Sequence, residues 1–335
     1  MDETEYQQNL KSFKDLSSAF FPTSVILCAI ELELFTNLDA EPASVTTLAN
    51  KLALDSAALE KLLTGLVSLG YLEHEGNLYR NTAFSSRALV RGKTDYEGDS
   101  ALMSLWFMRQ MSGLSETVRR GHGPDTFENE VCESSDKARQ LTHAMDQISR
   151  QYTTGLVEHI DMKGIRRILD VAGAAGSFAM ALVQGHDDVT ATVLELPHVA
   201  AQARELIAQR GMQDRVEVRE GDFREDSFGA GYDLIFCSNI FHLCNTELCY
   251  TLIKKAAASL NPGGRLVIKD MIPEIGKPMP QYMAMFSTLM PAISHGGKLH
   301  DEAAYTEWCI AAGFDEPERI NCWERSSLLI ARKPL

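Results

Sequence analysis

The sequence lacks the features that mark secreted, membrane-spanning or metal-binding chains. Residues 1–16 show no basic and apolar signal pattern, and no apolar run approaches the length that spans a bilayer. The cysteines number seven, an odd count, and none of them has CxxC spacing. We therefore expect free thiols in a reducing cytoplasm, no bound metal and no membrane association.

Positive charge is also in short supply. Asp and Glu number 46 against 32 for Lys and Arg, so the formal net charge is -14 at pH 7. A field of that sign repels phosphate backbones, which disfavours nucleic acid and anionic membrane surfaces as partners. Apolar residues make up 45% of the 335 positions, an ordinary globular composition that allows two domains with separate cores.

The first part of the chain predicts helices followed by a two-stranded wing. Asp55 is the expected N-cap of a helix over 56–69, and Gly76-Asn77 is the turn between strands at 71–73 and 78–80. This pattern is a winged helix, a shape often used on DNA. The helix in the recognition position offers only Lys61 as a base, so we favour a packing or dimerisation module over a DNA reader.

The pattern changes near residue 165, where short β-branched runs begin to alternate with helical stretches. Strands are predicted at 167–171, 190–195, 216–219, 233–238 and 265–270. Such alternation specifies an α/β fold with a doubly wound parallel sheet, whose ligands sit at the carboxyl ends of the strands.

Three domains follow from these patterns. Residues 1–98 form the mostly helical winged-helix domain, and residues 164–335 form the α/β domain. Between them, residues 99–163 read as long helices that either join the two domains or cover a substrate cavity as a lid. A break in that helical pattern is expected at 121–124.

The turn after the first α/β strand, DVAGAAG at 170–176, is built from small residues. A Cβ there would occupy the space of a ligand, and the following helix supplies free N–H groups. Alone, this turn could equally serve a dinucleotide. Glu195, at the end of the second strand, can accept hydrogen bonds from ribose hydroxyls, while Asp222 and Phe223 offer a carboxylate and an aromatic face to an adenine.

A resemblance to a known family rests on five ordered motifs that span nearly the whole chain. They are LELPHV at 194–199, GDF at 221–223, SNIFH at 238–242, LNPGGRL at 260–266 and GF at 313–314. The sequence resembles the plant-caffeate-type and bacterial small-molecule O-methyltransferases. That resemblance implies a Rossmann-like methyltransferase domain, a winged-helix dimerisation domain, S-adenosylmethionine as cofactor, a small-molecule acceptor and a homodimer.

The resemblance also implies roles for individual residues at the cofactor. It places Asp170, Gly173 and Gly176 against the methionine part of the cofactor and Glu195 on the ribose. It places Asp222 and Phe223 at the adenine, and it makes Ser238 a further contact.

The same resemblance makes His242 the general base and Asp270 the acid that orients it. A neutral imidazole can take the proton of a phenol while the hydroxyl oxygen attacks the sulfonium methyl, and close positioning of that oxygen also accelerates transfer. Judged from the residues alone, a strand-end histidine satisfied by backbone remains an alternative.

Apolar side chains with helical spacing suggest the acceptor pocket, which we assign to Met145, Phe107, Phe286 and Met290. Methionine moulds around flat apolar ligands, although such a stripe also occurs in ordinary cores.

The sequence departs from the family pattern at several positions. The glycine-rich turn has Ala172 and Ala174, and Leu299 stands where the family often has a second acid, with Asp301 and Glu302 out of register. Two alternatives therefore stay open: methylation of nitrogen, carbon or sulfur, and an enzyme of hydroxylase or pericyclase type that binds the cofactor without transferring its methyl. A winged-helix regulator that senses the cofactor is disfavoured by the acidic composition.

Overall fold

The computed structural model describes residues 1–123, 129 and 134–335, and it divides into two compact units, Met1–Trp106 and Phe107–Leu335. Pro124 of the predicted helix break and Cys132 lie outside the described residues. The division into 1–98, 99–163 and 164–335 stays a prediction.

The first unit consists of helices and one small hairpin. The hairpin strands are β1, Leu72–Glu75, and β2, Leu78–Asn81, which pair antiparallel. The helices are Glu3–Ser18, Phe20–Glu31, Leu34–Asn37, Val45–Leu52, Ser56–Ser68 and Ala83–Ala88. The predicted helices and the two-stranded wing are thus confirmed.

Local capping explains where two of these helices begin. The Asp55 carboxylate accepts a hydrogen bond of 2.8 Å from the Ala58 N–H, as the sequence predicts. Ser44 caps the helix Val45–Leu52 through the Thr47 N–H. In the helix Ser56–Ser68, Leu59, Leu63 and Leu66 recur at helical spacing and are buried, so that helix packs one apolar face into the core.

The amino-terminal helices leave much apolar surface uncovered. The stretch Glu3–Glu31 is long and apolar enough to cross a membrane by length and composition, and most of it is exposed. The expectation from the sequence that no apolar run approaches the length of a bilayer span is therefore wrong for this stretch. Phe13, Leu16, Phe20 and Phe21 are among its exposed side chains. A stretch of this kind is also expected of a surface that another protein chain covers.

The second unit is built on a seven-stranded sheet. Its strands are β3 Arg167–Val171, β4 Thr190–Glu195, β5 Val216–Glu220, β6 Tyr232–Ser238, β7 Leu260–Asp270, β8 Glu318–Ile320 and β9 Ser327–Arg332. The order across the sheet is β5-β4-β3-β6-β7-β9-β8. The first five are parallel, and β9 and β8 are antiparallel to their neighbours. The doubly wound fold is confirmed, with two antiparallel strands that the sequence did not predict.

Helices cover both faces of this sheet. Ser177–Val183, Pro197–Gln209 and Thr246–Ser259 pack on the strands, Ser135–His159 packs on the first two of these helices, and Glu302–Ala311 packs on the third. Leu114–Arg120 and Gln281–Ile293 pack against each other, and the helix Gly98–Ser112 contains the division between the two units. The strands β3 and β6 are neighbours in the sheet. From β3 the chain continues to β4 on one side, and from β6 it continues to β7 on the other side, so the strand order reverses between them. The carboxyl ends at this reversal form the crevice in which ligands of doubly wound folds bind.

Candidate functional site

A cavity of about 860 Å³, its opening to solvent included, lies at the carboxyl ends of β3, β4 and β6. It is lined by the turn after β3, the end of β4, the segment after β6 and one face of the helix Ser135–His159. The lining residues are Leu141, Thr142, Met145, Ser149, Ala172, Gly173, Ala174, Phe178, Glu195, Leu196, Val199, Phe223, Ser238, Asn239, Ile240 and Leu243.

The turn after β3 has a conformation that favours glycine, although alanines occupy it. Ala172 and Ala174 have φ angles of 52° and 48°, in the left-handed region. That region costs a non-glycine residue about 1–2 kcal/mol. Between them, a Cβ on Gly173 would lie 2.5 Å from the Asp170 Cγ, so no side chain fits there. The turn is a tight cradle in which backbone approaches a ligand closely.

Asp170 lies directly beneath this cradle. Its carboxyl group is fully buried, and neither of its oxygens has a partner with good hydrogen-bond geometry among the described residues. Burial raises the pKa of Asp170 to about 8; the backbone N–H of Ala179 opposes this rise, and the nearby Glu195 adds to it. A buried carboxyl without a partner is costly, so it marks a place where a ligand donor would be stabilised.

Glu195, at the end of β4, faces the cavity from the other side of the turn. One of its oxygens accepts a hydrogen bond of 3.0 Å from the Ala174 N–H, and the other accepts one of 2.9 Å from the Leu196 N–H. Burial raises its pKa to about 7 in spite of these donors. Each carboxylate oxygen keeps a free lone pair, so the pair of oxygens can accept two further hydroxyl groups.

The remaining predicted cofactor residues are placed differently from one another. Phe223 and Ser238 line the cavity, and the Ser238 hydroxyl is buried without a partner. Gly176, with φ 72°, is the N-cap of the helix Ser177–Val183, and a Cβ on it would lie 3.2 Å from the Val193 Cγ2. The Asp222 carboxylate forms a two-pronged ion pair with Arg224, which holds its pKa below the usual range. Asp222 is therefore engaged by the protein itself.

His242 and Asp270 form a buried pair beside the cavity. His242 lies in the 3₁₀ turn Phe241–Leu243 after β6, and Asp270 ends the neighbouring strand β7. The ring Nδ1 of His242 lies 2.7 Å from the Asp270 Oδ1, and the His242 backbone N–H donates to the other carboxyl oxygen at 3.3 Å. The two side chains that the sequence pairs are brought together, with the Nε2 edge of the ring left for other contacts.

The pKa of Asp270 is lowered although the group is buried. Burial alone would raise it, but the adjacent His242, the Met271 N–H at 2.7 Å and the neighbouring Lys269 outweigh that effect. Asp270 is thus held as a carboxylate, which can accept a hydrogen bond from the Nδ1–H of His242.

The acidic residues near Leu299 serve other purposes. Asp301 caps the helix Glu302–Ala311 through the Ala304 N–H, and Glu302 pairs with Arg319 at 3.0 Å. Within the residues that the structure describes, Asp270 is the carboxylate that contacts the His242 ring, at 2.7 Å from its Nδ1.

Two of the four predicted acceptor residues contact the cavity or the histidine. Met145 lines the cavity, and the Phe286 ring meets the His242 ring edge-on at 5.4 Å between centroids. Met290 is fully buried on the same helix as Phe286. Phe107 is half-buried on the helix Gly98–Ser112 and does not appear among the cavity-lining residues.

Several cavity residues were missed by sequence reasoning. Leu141, Thr142 and Ser149 share one face of the helix Ser135–His159 with Met145, at the i, i+3 and i+4 spacing that places side chains together. Asn239, with φ 56°, follows β6. A polar residue that tolerates left-handed backbone at a strand end was the available signal for it.

No group of three or more His, Cys, Asp or Glu side chains suited to a metal ion occurs within residues 1–123, 129 and 134–335. Cys237, Cys244 and Cys249, which lie close in sequence, are free and buried.

The fold and the site define a Rossmann-like methyltransferase. A small-residue cradle, an acid at the end of the second strand and an aromatic residue after the third meet at the reversal point of the sheet, with a His–Asp pair beside them. Unpartnered atoms on Asp170 and Ser238 and the cradle at Gly173 fit the polar groups of S-adenosylmethionine.

Comparison with known families identifies the chain. A model of the O-methyltransferase domain matches residues 109–315, and a model of the O-methyltransferase dimerisation domain matches residues 14–91. The chain belongs to the O-methyltransferase family and uses S-adenosylmethionine as its methyl donor.

Individual known proteins are similar to this chain over most of its length. The 3-hydroxy-5-methyl-1-naphthoate 3-O-methyltransferase of Streptomyces sahachiroi is 30% identical over 91% of this chain and 90% of its own. The N,N-dimethyltransferase OxyT of Streptomyces rimosus is 27% identical over 78% of each chain. The solved structure of PigF with SAH superposes with a TM-score of 0.88 at 21% identity, covering 96% of this chain and 99% of its own.

Proposed function

We propose that this enzyme methylates a phenolic hydroxyl of an aromatic or polyketide-like small molecule, with His242 as the general base. The buried His242–Asp270 pair at the cofactor cavity carries the proposal, because it supplies a base in a fixed tautomer where the acceptor must lie. The relative that acts on a hydroxynaphthoate supports the acceptor class.

The cofactor supplies an electrophilic methyl group on a positively charged sulfur. Asp270 keeps the imidazole proton on Nδ1 and orients the ring, so the Nε2 of His242 is free to accept the proton of the acceptor hydroxyl. The edge-on contact with Phe286 restricts the ring further. Holding the acceptor oxygen close to the methyl group is the other contribution expected of the site.

We assign the cofactor contacts to the elements that meet at the cavity. Glu195 accepts the two ribose hydroxyls, Phe223 lies against the adenine, and Gly173 gives the methionine part room above Asp170. Gly176 and Ser238 complete the set, and Asp222 acts at the adenine through the loop that its ion pair with Arg224 shapes.

For the acceptor we assign Met145 and Phe286, which contact the cavity and the histidine, together with Met290 and Phe107 as more distant walls. Flat aromatic rings suit such a wall, because thioether and aromatic side chains adapt to them.

Incubation of the enzyme with S-adenosylmethionine and a panel of phenols tests this function. Release of S-adenosylhomocysteine together with an O-methylated product is the expected result. Tight cofactor binding with no methylated product from any phenol, arylamine or thiol would instead favour the hydroxylase or pericyclase type of enzyme. Methylated arylamine as the main product would favour nitrogen as the acceptor, as in the relative OxyT.

Gly297→Ala is expected to lower kcat by about tenfold to a hundredfold, because a misplaced catalytic group loses rate steeply with distance. A Cβ on Gly297 would lie 2.5 Å from the His242 carbonyl oxygen and 2.9 Å from the Leu243 carbonyl carbon. These are backbone atoms, so the turn that holds His242 must shift. Steady-state kinetics measure the effect.

Gly113→Ala is the matched control, since its Cβ would meet a nearest atom at 3.5 Å. Unchanged kcat in Gly297→Ala, with a normal melting temperature, would show that the turn tolerates the shift without moving the histidine.

We also propose that the enzyme is a homodimer formed through its dimerisation domain. Phe13, Leu16, Phe20 and Phe21 expose between 53% and 77% of their surface and form the apolar area that a second copy would cover. Ile30 and Leu34, further along the same part of the chain, are buried in the core of their own unit and so do not belong to this surface.

Phe20→Glu combined with Phe21→Glu is expected to convert the dimer to a monomer at micromolar concentration, because a charge buried in an apolar interface is strongly destabilising. Sedimentation velocity measures the mass. Val118→Glu, at another exposed apolar residue, should leave the mass unchanged. A double variant that remains dimeric would place the interface elsewhere.

We propose a cytoplasmic location because the described cysteines are free thiols, and we propose that neither nucleic acid nor an anionic membrane is a partner because the net charge is -14. Retention by DNA or by anionic vesicles at low salt would contradict this placement.

A further inference from the structure

Lys269 is a buried cation that the proposed mechanism does not use. It precedes Asp270 on β7 and therefore points to the opposite face of the sheet, and it is 1% exposed. Its ammonium group lies over the rings of Tyr152, Trp323 and Phe178, at 4.1, 5.6 and 5.9 Å from their centroids.

The ammonium group has little polar compensation in this aromatic surrounding. Its Nζ donates to the Asn239 Oδ1 at 3.4 Å, and among the described residues no carboxylate forms a salt bridge with it. An ammonium has three donors. Burial lowers its pKa to about 8, and the charge of Asp270 opposes that fall. A buried cation of this kind costs stability, and an apolar side chain of similar volume would cost less.

The position of this cation relates it to the cofactor cavity. Phe178 and Asn239 contact the ammonium on one side and line the cavity on the other. Tyr152 lies on the helix Ser135–His159, one turn beyond the cavity-lining Ser149. The charge therefore stands immediately behind the cavity wall, where Asn239 can relay it through its amide group.

We propose that Lys269, acting with Asn239, is the recognition site for a carboxylate of the bound ligand. This proposal rests on the proposed function, and it adds that the cavity selects a ligand with a negatively charged carboxylate group. Two ligands can bring a carboxylate to this place: the methionine end of the cofactor, and an aryl acceptor that carries a carboxyl group. Either one would bring an anion to a buried ammonium whose neighbour in sequence, Asp270, is paired with His242 on the opposite face of the sheet.

Lys269→Met separates these sources in a binding experiment that needs no turnover. Calorimetry compares S-adenosylhomocysteine with its decarboxylated analogue, S-adenosyl-3-thiopropylamine, on the wild type and the variant. If the cofactor supplies the carboxylate, the wild type prefers S-adenosylhomocysteine, and the variant loses about tenfold to a hundredfold in affinity for it, while its affinity for the analogue changes little.

The second arm uses an acceptor pair, 3-hydroxy-1-naphthoate and its carboxamide. If the acceptor supplies the carboxylate, the cofactor preference stays as in the wild type, while the KM for the acid rises about tenfold or more and the KM for the carboxamide does not. Wild-type turnover of either acceptor reports on the proposed function separately, so its absence is distinguishable from a failure of the lysine assignment.

Lys163→Met removes one exposed positive charge in the same unit and is the matched control. The Lys269→Met protein should melt at or above the wild-type temperature, because methionine fills the aromatic surrounding without a charge; Lys269→Gln provides a second variant if methionine folds poorly. Equal changes for the carboxylated and uncarboxylated member of both pairs, or no change in either pair, would overturn the proposal.

Discussion

Replacing His242 with Gln is expected to lower kcat for methyl transfer by at least about a hundredfold, the usual contribution of a positioned general base. Glutamine occupies a similar volume and can keep a hydrogen bond to Asp270, so the pocket should stay intact while the group that accepts the phenolic proton is lost. Because Glu195 and the turn after β3 do not contact this side chain, the Kd for S-adenosylhomocysteine should remain within about threefold of the wild type.

The rate at several pH values distinguishes a base from a positioning residue. If His242 removes the proton, the variant should recover part of its rate at high pH, where the phenol ionises without help, and acceptors with more acidic phenols should be affected least. His159→Gln, the same substitution at an exposed histidine, is the matched control. A variant that keeps the wild-type rate for a weakly acidic phenol would reduce His242 to a wall of the acceptor pocket.

The sequence predicted the parallel part of the sheet because its physical signal is local. The strands from β3 to β7 are short runs rich in β-branched residues. Helices follow β3, β4, β6 and β7, while a loop joins β5 to β6, and this alternation defines the doubly wound order. The strands β8 and β9 lack such a helix between them. They pair antiparallel at one edge of the sheet, so their place depends on long-range contacts that composition does not reveal.

The cofactor site could be predicted where a motif fixes both the residue type and its place on a strand end. Glu195 and Phe223 were found in this way and line the cavity. Asp222 shows the limit of such reasoning: its spacing is right, yet a neighbour two residues away, Arg224, takes both of its oxygens. Asn239 was missed because its place in the cavity wall depends on its backbone conformation and on its hydrogen bond with Lys269 of the neighbouring strand β7.

Charged groups around the cavity share one property: the protein alone does not compensate them well. Asp170 has two buried oxygens without a close hydrogen-bond partner, Glu195 keeps unused lone pairs, and the Lys269 ammonium hydrogen-bonds to the Asn239 amide oxygen. Each would be costly in a domain selected only for stability. These groups are costly to bury with the protein contacts that they have, and the pH dependence of stability should reveal that cost.

Ligand-free enzyme is expected to lose stability as the pH rises from about 4 to about 8, and Asp170→Asn should remove much of that loss. The pKa of Asp170 is raised from 3.8 to about 8 by burial, so across this window the folded state keeps a proton that the unfolded chain releases. The stabilisation is therefore fully present below pH 4 and is lost as the pH passes through the folded-state pKa. Four pKa units correspond to an effect of about 5 kcal/mol.

Urea unfolding of the ligand-free protein at pH 5, 6.5 and 8 measures this change in the free energy of unfolding. Asparagine stays neutral throughout, so the variant should be clearly more stable than the wild type at pH 8 and close to it at pH 5. Glu195, with a pKa raised to about 7, contributes in the same direction in both proteins, which leaves a residual slope in the variant. Asp187→Asn, at an exposed position, controls for the removal of one negative charge from an acidic protein. Parallel pH profiles for Asp170→Asn and the wild type would mean that a donor such as ordered water compensates the buried carboxyl. The idea that burial of this group costs stability would then be wrong.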